Sequence, residues 1–397
     1  MKKGWPTKRL GDLFVFKNGR AFKKEEWTTK GLPIIRIQNL NKEDASFNYF
    51  AGEYSQDILV EPGDLLFSWS GTVGSSFGSH LWNGEPGVLN QHIFKIGLRE
   101  TIAKRYAFHG LRYITAEIEQ SVNGAVGLVH ITKEKLNEFT LPVPPLAEQQ
   151  RIVGLLDEAF EGLATAKANA EKNLQNARAL FESHLQSVFT QRGPGWVETT
   201  LEKVLTVQPQ NGWSPPAANH AASGTPVLTL SSVTGFVFRP DKLKYTSAKT
   251  DPKARYWIQN GDFLITRSNT PELVGHVAIA SGIETPTIYP DLIMRMNPMP
   301  DRALTEFLYY QLRTPVLRAE IMGRAQGANP TMKKISNGAV KTLPIAVPSI
   351  AIQQAIVETL DALTEETQRL ARLYERKHAA LEALKKSLLH QAFAGEL

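Results

Sequence analysis

Two loops in the first quarter of the chain combine basic, hydroxyl and aromatic residues that suit contacts to nucleic acid. Residues 18–27 read NGRAFKKEEW, and residues 63–74 read GDLLFSWSGTVG, a strand-like run followed by a polar turn and a glycine. Arginine, lysine, serine and threonine donate to phosphates, whereas asparagine and glutamine amides match base edges. A solvated loop with satisfied turn amides stays open as the alternative for each single residue. The candidates are Arg20, Lys23, Lys24, Arg36, Gln38, Asn39, Ser68, Trp69, Ser70, Thr72, Asn90 and Gln91.

A second set of candidates follows in the other half of the chain, in the same order of parts. Residues 196–207, WVETTLEKVLTV, correspond to residues 5–16, WPTKRLGDLFVF, and residues 261–275, GDFLITRSNTPELVG, correspond to residues 63–74 with three residues inserted. The loop contents differ, since SWSG becomes TRSN. If these turns read sequence, the two halves therefore read different sequences. The candidates are Asn211, Trp213, Ser231, Ser232, Arg267, Ser268, Asn269, Thr270, Arg324, Asn329, Lys333 and Lys334.

Motifs for covalent chemistry are absent or weak. An adenine methyltransferase loop would read Asn-Pro-Pro-aromatic, but residues 297–300 read NPMP. The chain has no Walker A sequence, its histidines lack ligand spacing, and with no cysteine it has neither thiol nucleophiles nor disulfides. Asp241, Asp251 and Lys253 match the spelling of a metal-dependent nuclease, although Pro252 lies where that motif needs a hydrogen-bonded central strand. A nuclease remains an alternative hypothesis.

The elements that must position these loops begin at one stretch that occurs twice. Residues 140–160 read TLPVPPLAEQQRIVGLLDEAF, and residues 342–363 read TLPIAVPSIAIQQAIVETLDAL. The first glutamines of the two pairs, Gln149 and Gln353, lie 204 residues apart. Prolines suit a first helical turn, and Glu148 lies where a negative charge favours the helix dipole. Each copy therefore predicts the start of a long helix, and the first helix ends before the GPG sequence at 193–195.

Both predicted helices carry a seam for another helix. Apolar residues recur at alternating steps of three and four, a period of 3.5 that favours a left-handed coiled coil. The first helix has the smaller residues along this seam. A coiled-coil scaffold that reads no sequence is therefore a further alternative. The seam residues are Leu156, Leu163, Leu180, Leu360, Leu363, Leu370, Tyr374, Leu381, Leu384 and Leu388.

The whole chain is predicted to be an α+β protein with an internal pseudo-twofold repeat. Short strand-like runs bounded by glycine, proline or asparagine indicate two mixed α/β domains with largely β cores, separated by two long helices. The net charge of +6 and a pI near 9.2 are consistent with a polyanionic partner. No run has the length of a membrane span, so we expect a cytoplasmic protein with no membrane partner. The predicted segments are 1–143, 144–192, 193–347 and 348–397.

These motifs closely resemble the specificity subunit of type I restriction-modification enzymes, over nearly the whole chain. The resemblance is carried by NGAVGLVHITKEKLNEF and LPVPPLAEQQRIV, by the repeat LPIAVPSIAIQQAIV, and by the two GDLLFSWSGTVG-like turns. The second copy departs in having Ile352 in place of Glu148 and two extra residues before its second proline. The resemblance implies two target recognition domains, each binding one half of a bipartite, asymmetric site in double-stranded DNA. It also implies an antiparallel coiled coil of the conserved helices that sets the spacing of the half-sites.

The same resemblance implies that catalysis belongs to partners in a restriction system for phage defence. Two methyltransferase subunits would methylate adenine N6 with S-adenosylmethionine, and restriction subunits, the motor-nucleases, would cut DNA with ATP and magnesium. The specificity chain would hold no cofactor or metal and would not be catalytic. If the helices act as a ruler, inserting about four residues into both seams should lengthen the tolerated spacer between half-sites.

Overall fold

The computed structural model describes residues 5–42, 44–72, 77–99, 102–121, 128–327, 329 and 332–397. The chain forms two compact units. Unit 1 comprises residues 1–171 and 374–397, and unit 2 comprises residues 172–373. Each unit combines β-sheets with helices, as the α+β prediction requires. The boundaries drawn from the sequence between recognition domains and helices stay a prediction.

The described part of unit 1 is built on two four-stranded sheets. The strands are β1 (Thr7–Arg9), β2 (Phe14–Asn18), β3 (Leu32–Ile35), β4 (Asn48–Phe50), β5 (Leu59–Val60), β6 (Leu65–Ser68), β7 (Ser70–Thr72), β8 (Gly78–Leu81), β9 (Gly87–Leu89), β10 (Ile93–Leu98), β11 (Leu128–His130) and β12 (Thr140–Pro142). One sheet has the antiparallel order β2-β10-β6-β8, and the other has the order β4-β3-β9-β5 with β3 and β9 parallel. Two antiparallel pairs, β1-β12 and β7-β11, complete the unit.

The helices of unit 1 cover these sheets and lead out of them. They are α1 (Leu10–Leu13), α2 (Ile37–Asn41), α3 (Lys104–Ser121), α4 (Lys133–Glu138) and the long α5 (Leu146–Thr190), whose first part belongs to this unit. The helix α3 has an apolar face formed by Tyr106, Leu111, Ile114 and Ile118, which are fully buried in the same core as Phe67. The period of this face is that of an amphipathic helix lying on a sheet.

Unit 2 repeats the topology. Its strands are β13 (Val197–Thr200), β14 (Leu205–Asn211), β15 (His220–Ala221), β16 (Thr225–Leu228), β17 (Leu243–Thr246), β18 (Trp257–Ile258), β19 (Phe263–Thr266), β20 (Ser268–Asn269), β21 (Val277–Ile279), β22 (Thr287–Ile288), β23 (Ile293–Pro298), β24 (Lys333–Lys334) and β25 (Pro344–Val347). The orders β14-β23-β19-β21, β17-β16-β22-β18, β13-β25 and β20-β24 correspond one by one to the sheets of unit 1. The strand β15 adds an edge beyond β17.

Unit 2 differs from unit 1 where α3 runs without a break. Two shorter helices, α6 (Thr305–Arg313) and α7 (Pro315–Arg324), take its place, followed by α8 (Asn337–Lys341) and the long α9 (Ile350–Ala394). Proline lacks the N–H that a continuous helix would need, so a new helix starts at Pro315. The hydroxyl of Thr314 caps that start by accepting a hydrogen bond from the N–H of Leu317.

The long helices α5 and α9 pack against each other and run antiparallel within unit 1. The ammonium of Lys167 lies 3.2 Å from a carboxylate oxygen of Glu382, and the Lys385 ammonium lies 5.5 Å from the centre of the Phe160 ring. Nearer the start of α5, Arg151 donates to the carbonyl of Leu397 at 2.7 Å. Positions rise along α5 as they fall along α9, which confirms the antiparallel pairing implied by the resemblance.

The seam follows the predicted residues only in part. Leu156 and Leu360 are buried. Leu180 and Leu384, however, are 62% and 47% exposed, and the inward positions belong to Phe181 and to the partly buried Lys385. The spacings of three and four residues between successive inward-facing positions come in a different order from the predicted one. The reason is that an α-helix of 3.6 residues per turn drifts against a strict 3.5-residue repeat. The other seam residues are partly buried: Leu163, Leu363, Leu370, Tyr374, Leu381 and Leu388.

Candidate nucleic-acid interface

A buried glutamine fastens the start of each long helix to its sheet domain. Gln149 donates to the carbonyl of Pro144 and accepts from the N–H of Ala103, both at 2.9 Å. Gln353 likewise donates to the carbonyl of Pro348 and accepts from the N–H of Leu304 at 2.9 Å. Both side chains are fully buried, where a satisfied amide is stable and an unsatisfied one is costly. These contacts explain one glutamine of each repeated Gln-Gln pair.

An aspartate eight residues, just over two turns, further along each helix continues this attachment. Asp157 binds Nε of Arg105 at 2.6 Å and Nε2 of His109 at 2.8 Å, whereas Asp361 accepts a hydrogen bond from the Tyr310 hydroxyl at 2.6 Å. Burial acts to raise the pKa of Asp157, but the hydrogen bonds from Arg105 and His109 hold it below its usual value. Burial also lowers the pKa of His109 despite the carboxylate beside it. These contacts attach the start of each long helix to the domain that carries the candidate loops.

In unit 1, the residue after an Asn-Gly pair is held at one end of the segment 89–92. The N–H of Arg20 donates to the carbonyl of Leu89 at 2.8 Å, and the N–H of Gly19 donates to Ile93 at 3.1 Å. A Cβ at Gly19 would lie 2.0 Å from the carbonyl oxygen of Asn90, so only glycine allows this approach. We call the residue that follows the Asn-Gly pair the Asn-Gly position.

Unit 2 builds the same position with other residues. The N–H of Trp213 donates to the carbonyl of Tyr289 at 2.9 Å, and that of Gly212 donates to Ile293 at 3.2 Å. A Cβ at Gly212 would lie 1.9 Å from the Tyr289 carbonyl oxygen. Trp213 therefore takes the place in unit 2 that Arg20 takes in unit 1, held at one end of the segment 289–292.

The polar turn after β6 or β19 is held at the other end of each segment. The backbone N–H of Trp69 donates to the carbonyl of His92 at 3.2 Å, and that of Arg267 donates to the carbonyl of Leu292 at 2.8 Å. The carbonyl of each of these residues also accepts a hydrogen bond from the residue that follows β11 or β24, from the N–H of Ile131 at 3.1 Å and from that of Ile335 at 3.0 Å. We call Trp69 and Arg267 the turn position. Segments far apart in the sequence meet here.

In unit 1, the structure brings the predicted Arg20, Trp69, Asn90 and Gln91 together around the segment 89–92. The Arg20 guanidinium pairs with Glu26 and lies 5.0 Å from the ring centres of Phe22 and Phe50.

Two histidines that the sequence interpretation missed complete this surface. The ring of Trp69 packs 5.2 Å from His92 and 6.1 Å from His130. His92 directly follows the candidate Gln91, and this adjacency is the sequence feature that could have identified it.

In unit 2, the predicted Trp213 and Arg267 share one surface with Asp291, another residue the sequence interpretation missed. Trp213 stacks on Tyr256 with ring centres 5.2 Å apart. Nη1 of Arg267 lies 3.9 Å from a carboxylate oxygen of Asp291, and Arg267 is partly buried. Because the two units correspond residue by residue here, Asp291 is the counterpart of Gln91. The repeat would have indicated it.

Several predicted contact residues instead support the loops from inside. Asn39 accepts from the backbone of Arg36 at 3.1 Å and donates to Ala45 at 3.2 Å. In unit 2, the hydroxyl of Ser232 makes the corresponding contacts: it accepts from the backbone N–H of Thr229 at 3.1 Å and donates to the carbonyl of Lys242 at 2.7 Å. Ser68, Ser70 and Ser268 are also buried. These side chains are not available to DNA in this conformation because they are buried. Their burial depends on strand pairing between distant segments, which the loop sequences alone do not reveal.

The remaining candidates divide between fixed and exposed side chains. Arg324 binds Glu320, Ala339 and Thr342 and so ties α7 to α8. Arg36 lies 5.4 Å from the Trp27 ring centre, Asn269 donates to Thr234 at 3.2 Å, and Lys333 donates to Gly327 at 2.8 Å. Thr270 is partly buried. The side chain of Thr72 lies outside the described residues. Exposed to solvent are Lys23, Lys24, Gln38, Asn211, Ser231, Asn329 and Lys334.

The nuclease alternative receives no support. Asp241 pairs with Lys242 at 2.9 Å, and this hydrogen bond lowers the pKa of its carboxyl. Asp251 accepts from the backbone N–H of Lys253 at 2.9 Å within one turn. Among the described residues, no group of three or more histidine, aspartate or glutamate side chains could hold a metal ion. In the same part of the chain, no helix is long and apolar enough to cross a membrane.

Two units with one topology, each carrying different side chains at the same loop positions, define a duplicated recognition protein. A family model described as the type I restriction modification DNA specificity domain matches residues 2–174 and again residues 194–375. The chain belongs to this family, which confirms the resemblance found in its sequence.

Relatives and solved structures agree with this assignment. The chain is 25% identical to the type I restriction enzyme EcoBI specificity subunit of Escherichia coli, over 99% of this chain and 86% of the relative. It is 21% identical to the MjaVIII specificity subunit of Methanocaldococcus jannaschii, over 99% and 93% of the two chains. The crystal structure of the HsdS subunit from Thermoanaerobacter tengcongensis matches with a TM-score of 0.60 at 20% identity, over 100% and 98%. A chain from a type I restriction-modification system matches with a TM-score of 0.79 at 20% identity, over 100% and 99%.

Proposed function

We propose that this chain reads a bipartite, asymmetric site in double-stranded DNA, with one half-site for each unit, as a specificity subunit of a type I restriction-modification complex. The observation that carries the proposal is that the two units share one backbone frame and differ in the side chains that this frame displays, as at Trp69 and Arg267. Equal frames suit equal docking on a duplex, and different side chains suit different base sequences. The net charge of +6 favours association with the phosphate backbone.

The same proposal assigns the chemistry to partner subunits. Two methyltransferase subunits with S-adenosylmethionine would modify adenine, and restriction subunits with ATP and magnesium would cut DNA. Exposed leucines at equivalent positions of the two long helices, Leu180 and Leu384, support a docking role for the outer helix faces. One exposed leucine alone would need no explanation, but the same exposed leucine recurs at the equivalent position of the second helix. The chain itself acts by binding, and we expect no cleavage by the purified chain.

The test is to co-express the chain with its methyltransferase partner and to map methylated adenines across a genome by single-molecule sequencing. We expect a split, asymmetric motif with a fixed spacer. Replacing residues 1–143 with the corresponding segment of a relative should change one half of that motif only. A partner that methylates DNA with another specificity chain, but shows no sequence preference with this one, would support the scaffold alternative and reject the proposal.

A further inference from the structure

We propose that the Asn-Gly position and the turn position form the base-reading pair of each unit, and that the two units carry the same two side chains in opposite order. Unit 1 has Arg20 at the Asn-Gly position and Trp69 at the turn position. Unit 2 has Trp213 and Arg267 at these positions. This inference rests on the proposed function and adds which residues read the half-sites.

In each unit, both positions are hydrogen-bonded to the backbone of one short segment, 89–92 in unit 1 and 289–292 in unit 2. In unit 1, the carbonyl of Leu89 holds Arg20 at 2.8 Å and the carbonyl of His92 holds Trp69 at 3.2 Å. In unit 2, the carbonyls of Tyr289 and Leu292 hold the equivalent residues at 2.9 and 2.8 Å. The two anchoring carbonyls are three residues apart in both units. The side chains therefore exchange places on a frame that stays the same.

The exchanged side chains carry different chemistry for a base pair. An arginine fork can donate two parallel hydrogen bonds to O6 and N7 of guanine. A tryptophan offers a large flat face for apolar contact, such as with the methyl group of thymine. Exchanging them along the segment places the guanine-reading group at opposite ends of the two frames. Each unit should then specify a different base position within its half-site.

Local packing holds these side chains in place before any ligand binds. Arg267 is restrained by Asp291, and Trp213 by its stacking on Tyr256. In unit 1, Arg20 is restrained by Glu26 and the rings of Phe22 and Phe50 while its side chain stays 41% exposed. A side chain already ordered in the free protein loses less conformational entropy on binding. Restraint combined with partial exposure is what a reading residue requires.

The test uses the full chain in complex with its methyltransferase partner and compares the methylated motifs of Arg20→Lys and Arg267→Lys with that of the unaltered chain. Lysine keeps the charge but loses the fork. We expect Arg20→Lys to relax one base of one half-site by roughly 10- to 100-fold and to leave the other half unchanged. Arg267→Lys should relax one base of the other half-site by a similar factor.

Lys24→Ala is the matched control, since Lys24 is an exposed cation in the same loop as Arg20. As a phosphate contact, it should weaken binding uniformly, reduce the salt dependence by about one ion and leave the motif intact. Thermal unfolding of each variant checks the fold, and if Arg20→Lys unfolds, Arg267→Lys decides alone.

A split motif for the unaltered chain together with unchanged motifs for the folded arginine variants would overturn this inference and keep the proposed function. Relaxation of both half-sites by one variant would overturn it as well. Absence of any motif for the unaltered chain would instead count against the proposed function.

Discussion

Gln149 and Gln353 show how a single buried side chain helps to attach a long helix to its sheet domain. Each is fully buried and bonded to backbone groups at the helix start, whereas the next residue, Gln150 or Gln354, is exposed. A polar pair in the sequence thus combines one structural residue with one solvated residue. This difference provides a matched comparison.

We expect Gln353→Ala to lower the free energy of unfolding by about 1–3 kcal/mol, because it removes the hydrogen bonds that the buried amide makes to the N–H of Leu304 and to the carbonyls of Pro348 and Arg302. Gln354→Ala should change it by less than about 0.5 kcal/mol, as is usual for an exposed side chain. Chemical denaturation of both variants measures the difference. Equal stabilities would show that the buried amide contributes nothing.

His276 makes the stability of unit 2 dependent on pH. Burial and the nearby Arg318 lower its pKa from the ordinary 6.5 to about 4, and its Nδ1 accepts the N–H of Gly235 at 2.9 Å. The unfolded chain therefore takes up this proton at a higher pH than the folded chain. The stability contributed by neutral His276 is complete above pH 6.5 and is lost as the pH falls towards 4.

We expect His276→Asn, which cannot titrate but can still accept that hydrogen bond, to lose less stability on acidification through this window than the unaltered chain does. Thermal unfolding midpoints measured at several pH values provide the test. Part of the dependence should remain, because burial and Arg112 lower the pKa of His80 to about 4 as well. Parallel pH curves for variant and unaltered chain would contradict the assignment to His276.

At the scale of elements, each long helix has a buried face and an exposed face, and the 3.5-residue pattern of apolar residues does not distinguish the two. Phe181 is 6% exposed and packs 6.5 Å from Tyr310, whereas its neighbour Leu180 is 62% exposed. The equivalent Leu384 is also exposed, so both copies of the helix present a leucine outward. A large apolar side chain that is mostly or half exposed at the equivalent position of both helices suits contact with a partner subunit.

We expect Phe181→Ala to lower the free energy of unfolding by about 3–5 kcal/mol, because it leaves a cavity in the core. Leu180→Ala should leave it within about 0.5 kcal/mol and instead weaken binding of the methyltransferase subunit. Denaturation measures the first effect and titration of the purified partner measures the second. A large loss of stability in Leu180→Ala would show that Leu180 is buried in the seam, as the sequence pattern predicts.

At the scale of the whole molecule, each long helix contributes residues to both units. The proposal that these helices set the spacing of the half-sites makes a measurable prediction. Inserting seven residues into each helix, at residue 171 and residue 374, keeps the heptad register and adds about 10 Å. The spacer in the methylated motif should lengthen by about three base pairs at about 3.4 Å each, with both half-sites unchanged. An unchanged spacer would reject the helices as a ruler.

Local patterns alone determined the duplicated order of parts, the α+β class and the existence of both long helices. These features depend on periodicity, prolines and glycines within a few residues, so one sequence is sufficient to predict them. The exchange of SWSG for TRSN between the halves was visible as well. The sequence thus specified where the two units would differ.

Only the tertiary structure decided which candidates face solvent and which support the loops. Ser232 and Ser231 are chemically equal neighbours, yet one is buried and the other exposed. Arg20 and Trp69 lie on one surface because both bind the backbone of the segment 89–92. Burial of a loop residue depends on pairing with segments distant in the chain, and such pairing leaves no periodic signal in the local sequence.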